Sequence, residues 1–374
     1  MPNDNNLKAL LAVGQSPWYD NIDRRLINNG KLEKLFGLGI TGVTSNPSIF
    51  EKAVNGSSVY DSSIRELADA EKSPEEIGDI ITTQDIQSAA DLLYDTYEAT
   101  RGRDGYVSLE VDPDYAYDEE KTVVDARRIH KNVARPNLMI KVPGTKEGCN
   151  AIKILTREGI NVNVTLLFSL RHYEDSAMAY IDGIRKRIKD GNSVESVCSV
   201  ASVFVSRVDT KIDKILEALK IDSVKGKIAV VNAKMIYQRF KELFYNGALG
   251  DLASSGARIQ RVLWGSTSAK NPAYSDVRYV DELIGKDTVN TLPDSTLEAF
   301  LDHGRPRLTI EEDLDKARQY LDLLQQQKVD LTKICDEIQQ EGVDAFRASF
   351  RKLVDAVAYK AGYSTRKPES PTKA

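Results

Sequence analysis

Eight short runs of apolar or alternating residues punctuate the chain: Pro17–Ile22, Ile40–Asn46, Tyr106–Asp112, Leu138–Val142, Asn161–Phe168, Val197–Val205, Ile259–Ser266 and Thr288–Leu292. Each has the length of a strand, whereas the intervening stretches are longer, more polar and helical in period. The helix-like stretches include Ser57–Thr100, Asp118–Val133, Lys146–Arg157, Leu170–Lys189, Ser206–Tyr245 and Pro272–Ile284. A strand-then-helix rhythm implies a parallel sheet with helical crossovers, and eight strands so connected predict a (β/α)8 TIM barrel over about residues 15–305. A six-stranded doubly wound sheet is the alternative.

From about Leu308 onward no further strand is expected. Ile310–Gln326 and Leu331–Tyr359 read as amphipathic helices that close or flank the barrel, making a C-terminal extension over about residues 308–362. The polar stretch Ser364–Ala374, with two prolines, reads as a disordered tail. With no interior Gly/Ser linker and no internal repeat, the expectation is a single domain over residues 1–374.

The 41% hydrophobic and 29% charged residues of this 374-residue chain are enough for a real core, which excludes a disordered or disulfide-stapled protein. A net charge of −5 argues against a nucleic-acid footprint or a polybasic membrane contact, so an anionic ligand must be met by local cations. Cys149, Cys198 and Cys335 form no CxxC pair, and His130, His172 and His303 have no ligand at helical spacing, so no structural zinc and no catalytic metal are expected. The phosphate loops GxxxxGK[ST] and GxGxxG are absent. The start Met1-Pro2-Asn3-Asp4 lacks a basic stretch leading into an apolar one, and no apolar run is long enough for a bilayer; a reducing, cytoplasmic setting is therefore expected.

In a barrel of this kind the chemistry sits where strands end, and strand side chains alternate between the helix layer and the interior. In Asn137-Leu-Met-Ile-Lys-Val-Pro-Gly144, Leu138, Ile140 and Val142 share one face, which turns Met139 and Lys141 inward. Burial disfavours an ammonium, and a neutral amine can attack a carbonyl to form a Schiff base. The plainer alternative is a lysine whose head reaches solvent.

Neighbouring strands weigh against that alternative, because Ser108 and Glu110, then Asn161, Asn163 and Thr165, and then Thr44 and Asn46 are inward by the same alternation. Several converging polar faces imply a mutually satisfied network, since an unpaired buried polar group costs about 1–3 kcal/mol. An amine-catalysed carbonyl reaction needs the amine, an acid/base, a carrier for water and groups for substrate hydroxyls, and this set supplies them. Asp20 and Glu110 are the inward carboxylates, with a surface or capping Asp20 as the alternative. At the other end of the site, Arg207 closes Ser202-Val-Phe-Val-Ser-Arg207, and Gly265-Ser-Thr-Ser-Ala-Lys-Asn271 is a small-residue loop. Together they offer one phosphate a guanidinium, hydroxyls and N–H groups, unless Arg207 merely pairs with Asp209.

The motifs together resemble those of the transaldolases, in their longer bacterial form. Thr44-Ser-Asn-Pro-Ser-Ile-Phe50 is similar to the TSNP motif, Ile140-Lys-Val-Pro-Gly-Thr145 to the Schiff-base lysine strand, and Asn161-Val-Asn-Val-Thr-Leu-Leu-Phe-Ser169 to the N-x-N-x-T-L-L-F-S strand. The resemblance implies Lys141 as the Schiff-base lysine, Asp20 as acid/base, and Glu110 with Thr165 as the pair holding the catalytic water. It further implies Asn46 and Asn163 for substrate hydroxyls, and Ser202 and Arg207 for the dihydroxyacetone and phosphate ends. Phe204 stands where the related fructose 6-phosphate aldolases carry Tyr. Ser266 and Lys270 lie in the loop where shorter members carry an Arg, which leaves the second phosphate ligand open.

The implied reaction moves a dihydroxyacetone unit from sedoheptulose 7-phosphate to glyceraldehyde 3-phosphate in the pentose phosphate pathway, without a cofactor. The expected partners are small sugar phosphates, with no nucleic acid and no membrane; a homodimer is left open. Two competing readings are a Schiff-base aldolase that releases dihydroxyacetone and a catalytically silent sugar-phosphate-binding barrel.

Overall fold

The computed structural model describes residues 5–365, so the tail expected to be disordered lies outside the described residues from 366 on. Eight strands form a closed barrel in sequence order: β1 (Gln15–Tyr19), β2 (Gly42–Thr44), β3 (Tyr106–Glu110), β4 (Leu138–Pro143), β5 (Val162–Leu167), β6 (Ser199–Phe204), β7 (Gln260–Gly265) and β8 (Thr288–Leu292). Every neighbouring pair is parallel, and β1 pairs with β8 to close the ring. This is the (β/α)8 barrel with additional C-terminal helices; the doubly wound alternative falls away.

Six of the eight predicted runs contain their strands, Thr288–Leu292 to the residue, while β4 runs one residue past its predicted end to Pro143. The largest offset is at β1, which begins two residues early at Gln15 because its polar start is satisfied inside the protein. The Gln15 amide donates to Leu283 O and Thr288 Oγ1, and the Ser16 hydroxyl donates to Asp104. Among helices, Leu170–Lys189 agrees at both ends. Ser57–Thr100 is instead three helices, Asp61–Asp69, Pro74–Leu92 and Tyr94–Ala99, the second opened by a Ser73/Glu76 capping box with Pro74 in its first turn. Ser206–Tyr245 likewise divides into Ser206–Ala218 and Ile228–Phe244, with Lys220 and Gly226 at positive φ between them. Pro272–Ile284 keeps only the turn of helix Arg278–Asp281.

The barrel interior is stratified. Its lower part is apolar, formed by Trp18, Tyr106, Met139, Cys198, Val200, Leu263 and Val289, and is sealed by the buried Arg261–Asp104 ion pair at 2.9 Å. Gly42 permits Trp18 to sit there, since a Cβ at that position would lie 2.5 Å from the indole ring. Above this plug the register aligns polar residues: Thr44 with Ser108, Glu110 with Lys141, and Lys141 with Asn163. The alternation that buries the outward Val107, Leu109, Ile140 and Val164 against the helix layer thus turns the polar set toward the barrel axis.

Of the C-terminal helices, Leu314–Gln326 flanks the barrel by packing on Ile228–Phe244. The last and longest, Leu331–Lys360, crosses the mouth and packs along Pro47–Asn55. Among the described residues no helix is long and apolar enough to cross a membrane.

Candidate active site

Lys141 is the centre of the polar layer. Its side chain is 4% exposed, its Nζ donates to Ser45 O at 2.9 Å, and it lies 3.6 Å from Glu110 Oε2. At that distance the two form an ion pair without a formal hydrogen bond, and neither Glu110 oxygen has another partner among the described residues. Burial pushes the Glu110 carboxyl up from 4.5 to about 7, against the pull of the Lys141 charge. The Thr165 hydroxyl, two residues further along β5 than Asn163, is also buried with no hydrogen-bond partner among the described residues. Two unpaired carboxylate oxygens beside an amine, with the unpaired hydroxyl of Thr165 on the same alternation of β5 as Asn163, are groups that can hold a water molecule.

Asp20 follows the last residue of β1, and its backbone N–H donates to Leu292 O. Its carboxylate accepts a 2.7 Å hydrogen bond from Thr44, whose hydroxyl also meets that of Thr291 at 2.6 Å. Burial raises the Asp20 pKa, opposed by Lys141, the Thr44 hydrogen bond and Arg207. The surface and capping alternatives for Asp20 therefore do not hold. Asn163 links two strands, donating to Ser108 Oγ at 3.0 Å and accepting from Ser202 Oγ at 2.6 Å. Asn46 caps helix Pro47–Asn55 by accepting from Ile49 N, which fixes its amide at the rim of the cavity.

Arg207, on the first turn of helix Ser206–Ala218, stands 5.3 Å over the Phe204 ring and has no ion-pair partner among the described residues. The pairing with Asp209 is excluded, because Asp209 accepts from Ala229 N and Tyr279 Oη instead. Burial lowers the Arg207 pKa, while Asp20 and Glu341 work the other way. Phe204 is held edge-on against Phe168, with ring centroids 5.5 Å apart. Ser266 takes φ +53° after β7 and meets Ser206, hydroxyl to hydroxyl, at 2.9 Å.

A cavity of about 610 Å³ joins these parts. Of the residues singled out from the sequence, it is lined by Asp20, Thr44, Asn46, Lys141, Ser202, Phe204, Arg207, Ser266 and the exposed Lys270. Glu110, Asn163 and Thr165 lie outside that lining and are tied to it through Lys141, Ser202 and the β4–β5 register. Such an arrangement can attack a carbonyl, move a proton at a neighbouring hydroxyl, deliver water and hold a remote anion. Among the described residues no group of His, Cys, Asp or Glu is arranged to hold a metal ion.

The sequence reading has the last helix close or flank the barrel but names none of its residues for the site. Phe346, Ser349 and Lys352, all from helix Leu331–Lys360, line the same cavity. Their i, i+3, i+6 spacing was visible, but nothing local reveals which body that stripe covers.

Comparison with known proteins agrees with the geometry. The family model for Transaldolase/Fructose-6-phosphate aldolase matches residues 17–357. A transaldolase of Thiobacillus denitrificans is 44% identical over 354 residues, covering 94% of this chain and 99% of the relative. The transaldolase of Saccharopolyspora erythraea is 43% identical over 360 residues, covering 96% and 98%, and that of Trichodesmium erythraeum is 41% identical over 370 residues, covering 95% and 97%.

Proposed function

Because the chain belongs to the transaldolase/fructose-6-phosphate aldolase family, we propose that it is a transaldolase of the non-oxidative pentose phosphate pathway. It transfers a dihydroxyacetone unit from sedoheptulose 7-phosphate to glyceraldehyde 3-phosphate, giving erythrose 4-phosphate and fructose 6-phosphate. The observation that carries this reading is the buried Lys141 amine, which lines one cavity with Asp20 and Arg207 and lies 3.6 Å from the Glu110 carboxyl outside that lining.

In the proposed mechanism Lys141 Nζ attacks the C2 carbonyl of the donor. Glu110 and Thr165 position the water that leaves as the carbinolamine becomes an imine and that returns at hydrolysis. Asp20 takes the proton of the C4 hydroxyl as the C3–C4 bond breaks, and the electron pair passes into the protonated imine, an iminium, giving a neutral enamine. The aldehyde departs and the acceptor aldehyde enters; enamine C3 attacks its carbonyl carbon, which restores the iminium for hydrolysis, as Asp20 gives its proton to the new hydroxyl. Asn46, Asn163 and Ser202 take the hydroxyls of the three-carbon unit, while Arg207, with Ser266 and Lys270, takes the phosphate.

The family includes simple aldolases, and Phe204 favours transfer because its ring has no hydroxyl to activate water. A single experiment tests both steps: with fructose 6-phosphate alone the protein forms a trappable imine and stalls, and erythrose 4-phosphate restores turnover with ping-pong kinetics. Release of dihydroxyacetone as fast as transfer would favour the aldolase; binding without any turnover would favour a silent barrel.

The ligands in this reading are small sugar phosphates, with neither nucleic acid nor membrane as a partner, and the assembly state is left between monomer and homodimer. A cytoplasmic location is supported by the three free thiols of Cys149, Cys198 and Cys335. The reading of one domain is supported by an apolar core that runs from Leu7 to Val357 and includes residues of the barrel and of both C-terminal helices.

A further inference from the structure

Helix Leu331–Lys360 is pinned along its length to the barrel mouth by polar contacts. Gln339 Nε2 donates to Gly144 O at 3.1 Å and to Leu166 O at 2.9 Å, at the ends of β4 and β5. Gly342 passes Leu166 and Arg207 so closely that a Cβ there would lie 3.0 Å and 3.4 Å from them. Ser349 Oγ meets Ser48 Oγ at 2.7 Å, and Lys360 Nζ donates to Ser57 O and to Asp61. Between the Gln339 and Ser349 anchors the helix projects Phe346, 3% exposed, into the cavity with its ring centroid 5.8 Å from Lys141 Nζ.

We propose that Phe346 is a specificity-determining residue, a roof that keeps solvent from protonating C3 of the three-carbon adduct on Lys141, while the water held by Glu110 and Thr165 stays on the C2 side, so that the adduct waits for an aldehyde and is not lost as dihydroxyacetone. This rests on the Schiff-base reading above and goes beyond it, since nothing in that chemistry requires a residue of the C-terminal helix. After C–C cleavage the adduct is an enamine with a nucleophilic carbon at C3. Release of dihydroxyacetone takes two events: a proton adds to C3 from water, and a second water attacks C2 of the resulting iminium and returns the amine. The first event needs a proton donor at C3. An apolar ring over the lysine supplies none and occupies the space a donor would need, and excluding water is a recognised way to suppress proton leakage into a reactive intermediate. The packed position of the ring matters as much as its chemistry, which is why the anchors on either side belong to the argument.

The test is the ratio of two rates on the same full-length protein: dihydroxyacetone release from fructose 6-phosphate without acceptor, over transfer to erythrose 4-phosphate. Both rates come from the same active sites, so a merely structural loss of folded protein cancels. Phe346→Ala is expected to raise the ratio by about tenfold or more, with solvent tritium appearing at the former C3 of the released dihydroxyacetone. Phe346→Leu, which keeps apolar bulk, is expected to stay within about threefold of the wild type. Phe346→Gln, which restores length but brings an amide and water, follows the alanine variant and serves in its place should that variant fail to fold. A ratio unmoved in the Ala and Gln variants, or raised equally by Leu, overturns the proposal. Failure of the Schiff-base reading itself looks different: borohydride then traps no adduct on Lys141 in the wild type.

Discussion

Replacing Glu110 with Gln removes one titrating group from the buried layer and changes little in volume, so the pH dependence of the stability difference between the two proteins reports that group alone. Burial holds the folded-state pKa at about 7 against an ordinary 4.5, even with the Lys141 charge 3.6 Å away. A carboxyl raised in this way favours the folded state while it is neutral. Its contribution is fully present below 4.5, declines as the unfolded chain ionises first, and is gone once the pH has passed about 7.

At about 1.4 kcal/mol per pH unit, that gap makes the wild type lose on the order of 3 kcal/mol relative to Glu110→Gln across the window, a measurable share of a typical folding free energy. Denaturant unfolding of both proteins at pH values from about 4 to 8 measures it, and any constant offset from the altered lysine contact drops out of the slope. The kinetic counterpart is a rate of imine trapping that rises through an apparent pKa near 7 and becomes flat in the variant. A stability difference flat over this range would show that burial does not govern Glu110. One sloping the other way would show that the Lys141 ion pair outweighs burial.

Borohydride reduction with fructose 6-phosphate is expected to label Lys141, as read by peptide mapping, and Lys141→Ala to lose turnover by several orders of magnitude with its circular dichroism intact; label on Lys146 or Lys270 would refute the assignment. Arg207→Ala is expected to raise KM for fructose 6-phosphate by about thirtyfold, roughly 2 kcal/mol, with kcat little changed, because the contact is remote from the breaking bond. Unphosphorylated fructose losing as much would make Arg207 structural. Activity after dialysis against EDTA is expected to equal that before, since the imine on Lys141 serves as the electron sink; loss on chelation and recovery with zinc would overturn the covalent route.

Much of this architecture was legible because each barrel strand is buried on both sides but by different matter. In β4, Leu138, Ile140 and Val142 face the helices while Met139 and Lys141 face the axis, and the alternation can be counted without knowing the fold. The same counting places Ser108, Glu110, Asn163 and Thr44 inside, where the register aligns them. Helix interruptions were less legible. The breaks after Asp69 and Ala218 turn on Glu71 and Lys220 at positive φ, and neither residue type announces a left-handed turn as glycine would.

The helix over the mouth was legible as a helix, but the site-facing role of Phe346 was not, for a different reason. Helix Leu331–Lys360 has an ordinary amphipathic stripe, and within it Phe346 reads as one more core residue among Ile338, Val343 and Leu353. What separates it from them is the neighbour it meets, and that neighbour is set by contacts far apart in the chain: Ser48 and Ser349 are 301 residues apart, and Gln339 reaches back 173 residues to Leu166. Periodicity reports that a face is buried and carries no information about what buries it. Chemistry carried by strand ends is therefore recoverable from local pattern, because closure of the barrel brings all strand ends to one place. Chemistry carried by a helix laid across that place depends on where the helix is anchored, and the anchors here are single polar residues of kinds that also populate solvent-facing positions.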